Sequence, residues 1–183
     1  MKWLLILLLT ACQPSSVQFL NSNILGQGLK TEVPLRTADG QFLQLNAPNA
    51  DVTAVFFGFT MCPEICPTTM GNLKIVKQQL PNLRVILVTL DPERDIAAVL
   101  KQYTAAFGND FIGAYTDLPS TQIMAKDLGI RFEKVGTGAF YMLNHSANLY
   151  LIDKQGRFRV SIPYGTKPDA IAHDVRQLIN EQP

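Results

Sequence analysis

Apolar residues form three continuous runs in the chain, and each run predicts a buried strand. The runs lie within residues 51–59, 84–90 and 149–152. Continuous runs, unlike strictly alternating ones, are typical of strands that are covered on both faces of a sheet. A turn with the sequence DKQG and a further apolar segment follow the third run, which predicts a hairpin. We therefore expect one central sheet whose buried side chains include Val55, Phe57, Val85, Leu87, Leu149 and Leu151.

Segments with helical spacing of apolar residues separate these strands. Residues 67–80 carry Met70, Leu73 and Val76 at near-helical spacing, and Pro67 suits a first helical position. Three further helices are predicted, at residues 95–107, at 120–128 before a glycine, and at 169–180. The helices therefore alternate with the predicted strands in the first two thirds of the chain.

A second hairpin signal precedes the first buried strand. The turn ADG lies between two alternating segments, residues 33–37 and 41–45, and a short strand is predicted at 111–115. The order of all these elements predicts a thioredoxin-like α/β sandwich. In this fold class a central mixed sheet is flanked by helices, and here an N-terminal hairpin is added to it.

The first twelve residues, MKWLLILLLTAC, have the layout of an export signal. Lys2 is followed by an apolar stretch that is too short to span a bilayer, and small residues precede Cys12. The sequence LTAC also resembles the lipobox of bacterial lipoproteins, in which the signal is cut before a cysteine that then carries lipid. The alternative is a plain signal peptide with an incidental cysteine. We interpret residues 1–11 as a lipoprotein signal peptide and expect Cys12 to be lipidated.

This interpretation divides the chain into three parts and gives it a location. Polar residues 12–28 are expected to form a lipidated tether, and residues 29–183 the thioredoxin-like domain. A lipid anchor would hold the protein at a membrane surface without a spanning helix. We therefore expect a protein of the bacterial cell envelope that faces the periplasm or the exterior.

Composition and charge exclude one class of partner. The 183 residues include 16 basic and 15 acidic side chains, with a net charge of +1 and no run of either sign. A nucleic-acid surface would need a basic patch for phosphate, so none is expected. A domain of this length buries roughly 70% of its unfolded surface, and it needs no metal or disulfide merely to fold.

Candidate chemistry begins with the two cysteines of CPEICP, residues 62–67. Cys66 is predicted at or just before a helix start, where unpaired N–H groups and the helix dipole lower a thiol's pKa. The thiolate is the form required both for redox attack and for metal ligation. A disulfide between these two cysteines would stabilise the fold only weakly. Closing so short a loop gives a chain-entropy stabilisation of roughly 2 kcal/mol, against roughly 3 kcal/mol for a fifteen-residue loop.

The chain has only two histidines, and they differ in their predicted surroundings. His173 is expected on the outer face of the last helix, in solvent. His145 precedes the run at 149–152, in a loop that would lie beside the turn carrying the two cysteines. A lone loop histidine is usually a satisfied polar residue, but this neighbourhood favours a role as a metal ligand.

Cys62, Cys66 and His145 would form a small and soft ligand set. Thiolates select Cu(I), and imidazole also accommodates Cu(II). Zinc would accept the same residues with a water molecule, but no carboxylate is clearly placed as the general base of a zinc hydrolase. Copper is therefore the expected metal.

Two redox functions are alternatives to copper binding. Thiol–disulfide oxidoreductases of this fold have two residues between their cysteines and a cis-proline before the third main strand. Here three residues separate the cysteines, and no proline occurs between Pro119 and Pro163. A peroxidase would use a single activated cysteine, which fits the paired Cys-Pro pattern poorly.

Several motifs together are similar to those of the Sco/SenC family, from about residue 30 to the end of the chain. They are FGFT at 57–60, CPEICP at 62–67, LDPERD at 90–95, HS at 145–146 and YLID at 150–153. The resemblance implies a thioredoxin-like fold and copper handling during assembly of cytochrome c oxidase, especially its binuclear copper centre. It implies Cys62, Cys66 and His145 as the copper ligands.

The same resemblance implies partners and a redox property. The expected partners are the copper-accepting subunit of cytochrome c oxidase, other periplasmic copper chaperones and thiol reductants. Cys62 and Cys66 are expected to form a redox-active disulfide when oxidised. The two sulfurs cannot form a disulfide and bind copper at the same time, so oxidation of the cysteines would prevent copper binding.

One residue departs from the family pattern. The family commonly has aspartate immediately before the histidine, whereas this chain has Asn144. An amide can hydrogen-bond but contributes no charge to the ligand loop, so copper affinity or partner choice is expected to differ. The segment at residues 91–95 is interpreted as a turn and helix cap after a central strand.

The lipid anchor gives a first testable prediction. The mature protein is expected to begin at a lipidated Cys12, because the cysteine falls at the cleavage point of the lipobox-like sequence. Intact-mass analysis of the membrane-extracted protein measures this, and Cys12→Ala is expected to acquire no lipid. An unmodified Cys12 in the wild type, or cleavage elsewhere, would contradict the interpretation.

Overall fold

The computed structural model of the protein describes residues 17–45, 50–138 and 141–181. The predicted signal peptide and Cys12 lie outside the described residues. Within the described part of the chain, no helix is long and apolar enough to cross a membrane.

Ten strands and four helices make up the described fold. Their bounds, in chain order, are β1 Ser22–Asn23, β2 Leu35–Thr37, β3 Phe42–Leu43, β4 Val52–Gly58, α1 Ile65–Gln79, β5 Arg84–Thr89, α2 Ala97–Ala105, β6 Ile112–Tyr115, α3 Leu118–Asp127, β7 Phe132–Val135, β8 Met142–His145, β9 Leu149–Asp153, β10 Phe158–Ile162 and α4 Pro168–Asn180.

Eight of these strands form one mixed sheet in the order β1-β10-β9-β4-β5-β6-β2-β3. Strands β4, β5 and β6 are parallel to one another, with β4 residue Ala54 opposite Val85 of β5. On its other side β4 pairs antiparallel with β9, where Ala54 lies opposite Leu151. This arrangement confirms the predicted thioredoxin-like α/β fold with a central mixed sheet.

The three continuous apolar runs form the centre of the sheet. All six residues predicted for its core, in β4, β5 and β9, are at most 2% exposed. Every residue of β4 and of β9 is buried, which agrees with strands that are covered on both faces. The covering helices contribute buried residues such as Met70 and Leu73 from α1 and Val175 from α4.

The predicted hairpins are present, and the chain contains one more. Strands β2 and β3 pair antiparallel around the turn at residues 38–40, and β9 pairs with β10. Strands β7 and β8 form a separate two-stranded sheet, in which Phe132 lies opposite His145. The sequence predicts His145 in a loop, whereas in the structure His145 is the last residue of β8.

Part of the predicted tether is bonded to the domain. Strand β1, at Ser22–Asn23, pairs with the edge strand β10. The backbone N–H groups of Leu20 and Asn21 donate to the buried carboxylate of Asp174 on α4, at 2.7 and 3.1 Å. These contacts hold residues 20–23 against α4 and β10.

The centre of the sheet gives a prediction about stability. Leu87 of β5 is fully buried in the core cluster, so Leu87→Ala is expected to lower the free energy of unfolding by about 2–5 kcal/mol. Urea unfolding monitored by circular dichroism measures this change in the free energy of unfolding. Leu25→Ala is the matched control, because Leu25 is 54% exposed, and it is expected to stay within about 0.5 kcal/mol of the wild type. A loss of less than about 0.5 kcal/mol for Leu87→Ala would contradict the role assigned to this strand.

Candidate metal centre

The sheet topology brings the cysteine and histidine segments to the same edge. Strand β4 runs toward this edge and ends at Gly58, four residues before Cys62. Its antiparallel neighbour β9 begins there, with Leu149 opposite Phe56. The segment that enters β9, which includes His145, therefore lies beside the segment that leaves β4.

The two cysteines lie at the start of α1, on either side of its first residue. Cys62 precedes the helix by three residues, and Cys66 is its second residue. The backbone N–H of Cys66 has no partner in the preceding turn and donates instead to Cys62 Sγ at 3.4 Å. The Cys62 sulfur thus accepts one of the free N–H groups at the start of α1, as the side chain of a helix cap would. The side chain of Glu64, at the N-cap position, makes no such hydrogen bond.

The two thiols differ in acidity. A hydrogen bond from the Cys66 thiol lowers the pKa of Cys62 most strongly, and hydrogen bonds from backbone N–H groups lower it further against the effect of burial. The same thiol–thiol hydrogen bond and burial raise the pKa of Cys66, and the negative charge on Cys62 adds to this. Cys62 is therefore the thiolate of the pair, and Cys66 keeps its proton.

This result corrects one expectation from the sequence. Cys66 was expected to be the thiol acidified by the helix start, and its pKa is raised instead. Cys66 lies inside the first turn and is fully buried, so its sulfur faces the protein interior while its N–H serves Cys62. The acidifying donors of the helix start therefore act on Cys62.

The ring of His145 is held with one nitrogen directed at the thiols. Its Nδ1 lies 2.8 Å from the carbonyl oxygen of Ser146, which can only accept, so Nδ1 carries the proton. The other nitrogen, Nε2, lies 3.9 Å from Cys66 Sγ. The edges of Phe56 and Phe59 pack against the ring at centroid distances of 6.4 and 5.7 Å. The contact of Nδ1 with the Ser146 carbonyl is the kind of interaction outside the ligand set that fixes the tautomer of a metal-ligating histidine.

The structure brings together the three residues predicted as ligands. The two Sγ atoms and a ring nitrogen of His145 lie within 4.8 Å of one another. Both cysteines are free thiols, and His145 is half-buried. The second histidine, His173, is half-exposed on α4 and contacts Asp174, so it lies outside this cluster, as expected.

Gly58 allows Cys66 to approach the end of β4. A Cβ atom on Gly58 would lie 2.7 Å from Cys66 Sγ and 2.8 Å from the ring of Phe56. Both neighbours are fully buried, so neither could move aside without disturbing the core. The glycine in FGFT is therefore required by the close packing of the sulfur against the strand.

A buried carboxylate supports the segment that carries Cys62. Asp95 accepts hydrogen bonds from the Thr60 hydroxyl at 2.5 Å, from the Thr60 backbone N–H at 3.0 Å and from the Thr89 hydroxyl at 2.6 Å. Burial raises the pKa of Asp95, although these three donors act in the opposite direction. From the sequence, residues 91–95 are expected to form a turn and a helix cap. The turn is present, but α2 begins at Ala97 and has no side-chain cap from Asp95.

Asn144 lies on the outer side of β8. Its side-chain amide is 3.4 Å from the carboxylate of Glu133 on the paired strand, and both residues are exposed. In this position an amide pairs with Glu133, where an aspartate would place two carboxylates face to face.

Comparison with known proteins identifies the family. The sequence profile of SCO1/SenC matches residues 27–180. The chain belongs to the SCO1/SenC family. The resemblance drawn from the CPEICP and LDPERD motifs is thereby confirmed.

Individual SCO1/SenC relatives agree with this assignment. A protein of Stutzerimonas stutzeri is 34% identical over 134 residues, which are 70% of this chain and 66% of that protein. The SCO2-like protein RP587 of Rickettsia prowazekii is 31% identical over 169 residues, which are 85% of this chain and 79% of the relative. The first of these alignments spans slightly less than two thirds of the relative's length.

A solved structure of the SCO1/SenC family matches the fold. Bradyrhizobium japonicum ScoI with copper bound superposes with a TM-score of 0.72 and is 26% identical. The match covers 81% of this chain and 98% of that protein.

The different acidity of the two thiols gives a prediction. Iodoacetamide at about pH 6 is expected to modify Cys62 before Cys66 in the reduced protein, because only Cys62 is a partly accessible thiolate. Peptide mass mapping at increasing reaction times measures the order. Modification of Cys66 first, or of both thiols at equal rates, would contradict the assignment of the thiolate to Cys62.

Proposed function

We propose that the chain binds copper through Cys62, Cys66 and His145 and delivers it during maturation of the binuclear copper centre of cytochrome c oxidase. Copper is the cargo of the site. The observation that carries the proposal is the convergence of two sulfurs and one imidazole nitrogen within 4.8 Å of one another, at the end of a rigid sheet.

The donor set suits copper. Two thiolates form a soft pair for Cu(I), and the imidazole adds a ligand that Cu(II) accepts. His145 presents Nε2 to the sulfurs because Nδ1 is engaged by the Ser146 carbonyl. Copper bound to ScoI of Bradyrhizobium japonicum, a relative with the same fold, supports the choice of metal.

The charges in the site also suit a cation. Cys62 is already a thiolate in the metal-free protein, and the charge on it opposes ionisation of Cys66. A copper ion between the two sulfurs would remove this opposition and allow Cys66 to lose its proton. Copper uptake is therefore expected to release a proton from Cys66.

The proposed delivery involves a partner at the membrane surface. The acceptor would be the copper-accepting subunit of cytochrome c oxidase, and other periplasmic copper chaperones are candidate donors. Lipidation of Cys12 would keep the protein at the membrane of the bacterial cell envelope, near a membrane-bound oxidase. The family membership and the lipobox-like sequence support this placement.

The oxidation state of the cysteines would control binding. Formation of a Cys62–Cys66 disulfide removes two electrons from the pair, together with the proton of Cys66, and leaves no thiolate to hold copper. The proximity of the two free thiols supports this gate. A thiol reductant would be needed to return the protein to its copper-binding form.

A thiol–disulfide oxidoreductase is a second candidate function, favoured by the acidity of Cys62. The Cys62 thiolate would attack one sulfur of a partner disulfide, form a mixed disulfide and release one partner thiolate. Cys66 would then lose its proton and attack Cys62 Sγ, releasing the second partner thiolate. Two electrons pass to the partner, and the chain is left with a Cys62–Cys66 disulfide.

Copper binding by the reduced protein tests the first proposal. Full-length protein carrying Cys12→Ser, purified in mild detergent, is expected to bind one copper per chain when reduced and little when oxidised. His145→Ala is expected to weaken Cu(II) more than Cu(I), because Cu(I) can remain on two sulfurs. Loss of either cysteine is expected to abolish tight binding. Metal analysis after dialysis and competition with chromophoric chelators measure these effects.

His173→Ala is the matched control, since it removes the other histidine of the chain and lies outside the cluster. This variant is expected to bind Cu(I) and Cu(II) with the same affinities as the wild type. A reduced wild type that takes up no copper yet readily reduces a protein disulfide, with activity intact in His145→Ala, would overturn the copper proposal in favour of the oxidoreductase.

A further inference from the structure

The turn at residues 91–95 contacts both segments that carry the predicted ligands. The turn follows the central strand β5, and Asp91 accepts backbone N–H groups of Arg94 and Asp95 at its carbonyl, at 3.2 and 2.9 Å. Asp91 and Asp95 are each 1% exposed. Buried carboxylates are found where they are fully hydrogen-bonded, so the partners of these two groups indicate what the turn holds in place.

Asp95 holds the cysteine side of the site. Its two oxygens accept from the hydroxyl and the backbone N–H of Thr60, two residues before Cys62. The Thr89 hydroxyl donates to the same carboxylate from the end of β5. The segment before Cys62 is thereby tied to the rigid centre of the sheet.

Asp91 and Arg94 hold the histidine side. The Tyr141 hydroxyl donates to Asp91 at 2.5 Å, and Arg94 donates to the Tyr141 carbonyl at 2.9 Å. The Arg94 guanidinium also stacks on the Tyr141 ring, with its central carbon 3.6 Å from the ring centroid, and pairs with Asp91 at 2.6 Å. Tyr141 directly precedes β8, the strand that ends in His145.

A second contact joins the same turn to the paired strand. Lys134 of β7 forms an ion pair with Glu93, and its ammonium lies 4.6 Å from the centroid of the Tyr141 ring. Because β7 and β8 form a sheet of their own, main-sheet hydrogen bonds do not hold them, and side-chain contacts of this kind help to fix their position relative to the cysteines.

We propose that the Asp91–Asp95 turn is a bracket that sets the separation between the His145 imidazole and the two thiols, with Tyr141, Arg94 and Thr60 as positioning residues. This inference rests on the proposed copper site. Interactions around metal ligands orient them, and their loss commonly costs about 10- to 100-fold in metal affinity.

The two arms of the bracket act on different ligands, so their loss has different consequences. Removing the Tyr141 hydroxyl deletes the bond to Asp91 and loosens the histidine side, while the contacts of Arg94 and Lys134 remain. Cu(II) depends on the imidazole of this side more than Cu(I) does. Removing the Thr60 hydroxyl loosens the segment before Cys62, and both Cu(I) and Cu(II) depend on the cysteine ligands. The two variants therefore separate a positioning role from a general loss of stability, which would weaken both ions in both variants.

Copper competition titrations on three variants test the bracket. In the Cys12→Ser background, Tyr141→Phe is expected to weaken Cu(II) about 10-fold or more and Cu(I) less than about threefold. Thr60→Val is expected to weaken both ions by similar factors. Tyr164→Phe is the matched control, because Tyr164 is 41% exposed and makes none of these contacts, and it is expected to bind as the wild type does. Unchanged Cu(II) binding in Tyr141→Phe, or equal weakening of both ions, would overturn the proposal.

A copper-free measurement distinguishes failure of the bracket from failure of the copper site. Amide hydrogen exchange in Tyr141→Phe is expected to rise at least about fivefold in β7 and β8 and to stay unchanged in β4 and β5. Faster exchange confined to β7 and β8 supports the bracket even if the wild type binds no copper. The lack of copper binding would then count only against the proposed function. Unchanged exchange in β7 and β8 would overturn the bracket whatever the copper result.

Discussion

Two sulfur atoms held close together in a buried site cannot both be negatively charged without a cation. The protein satisfies this constraint by making its two thiols different. Cys62 accepts hydrogen bonds from the Cys66 backbone N–H at the helix start and from the Cys66 thiol, whereas Cys66 is fully buried and keeps its proton. The metal-free site therefore holds one negative charge where the donor set has room for two. A soft cation removes the restriction, which is why uptake of metal and loss of a proton are coupled in such a site.

The fold separates rigid support from ligand-bearing segments. Strands β4, β5 and β9 are covered on both faces, and their ends define where the chain must turn. The ligands themselves come from the turn before α1, from the first turn of α1 and from β8, none of which belongs to the main sheet. Their positions depend on a few specific contacts, such as the absent Cβ of Gly58 and the carboxylate of Asp95. A small displacement of the turn before α1 or of β8 would change the ligand geometry while leaving the core intact.

The elements that could be predicted from sequence are those with a strong local signal. Apolar runs such as 84–90 and turn motifs such as ADG depend on neighbouring residues only, and the structure places strands and hairpins there. The convergence of Cys62, Cys66 and His145 could be anticipated because topology brings those segments together. The hairpin of β7 and β8 was missed, since residues 132–135 are short and largely exposed and have little apolar alternation. The partners of Asp91 and Asp95 were also missed, because contacts such as Asp91 with Tyr141, fifty residues apart, leave no local trace.

The same long-range contacts influence how a bound cation could leave. Cys66 is the least accessible ligand, being fully buried inside the first turn of α1, whereas Cys62 is slightly exposed and His145 is half-buried. An incoming acceptor therefore meets His145 and Cys62 before it can reach Cys66. His145 lies on the β7–β8 hairpin, outside the main sheet, whereas Cys66 lies within α1. Under the proposed function, exchange of ligands would begin at the imidazole and finish at the buried sulfur, which keeps its hold on the cation until the acceptor has supplied ligands of its own.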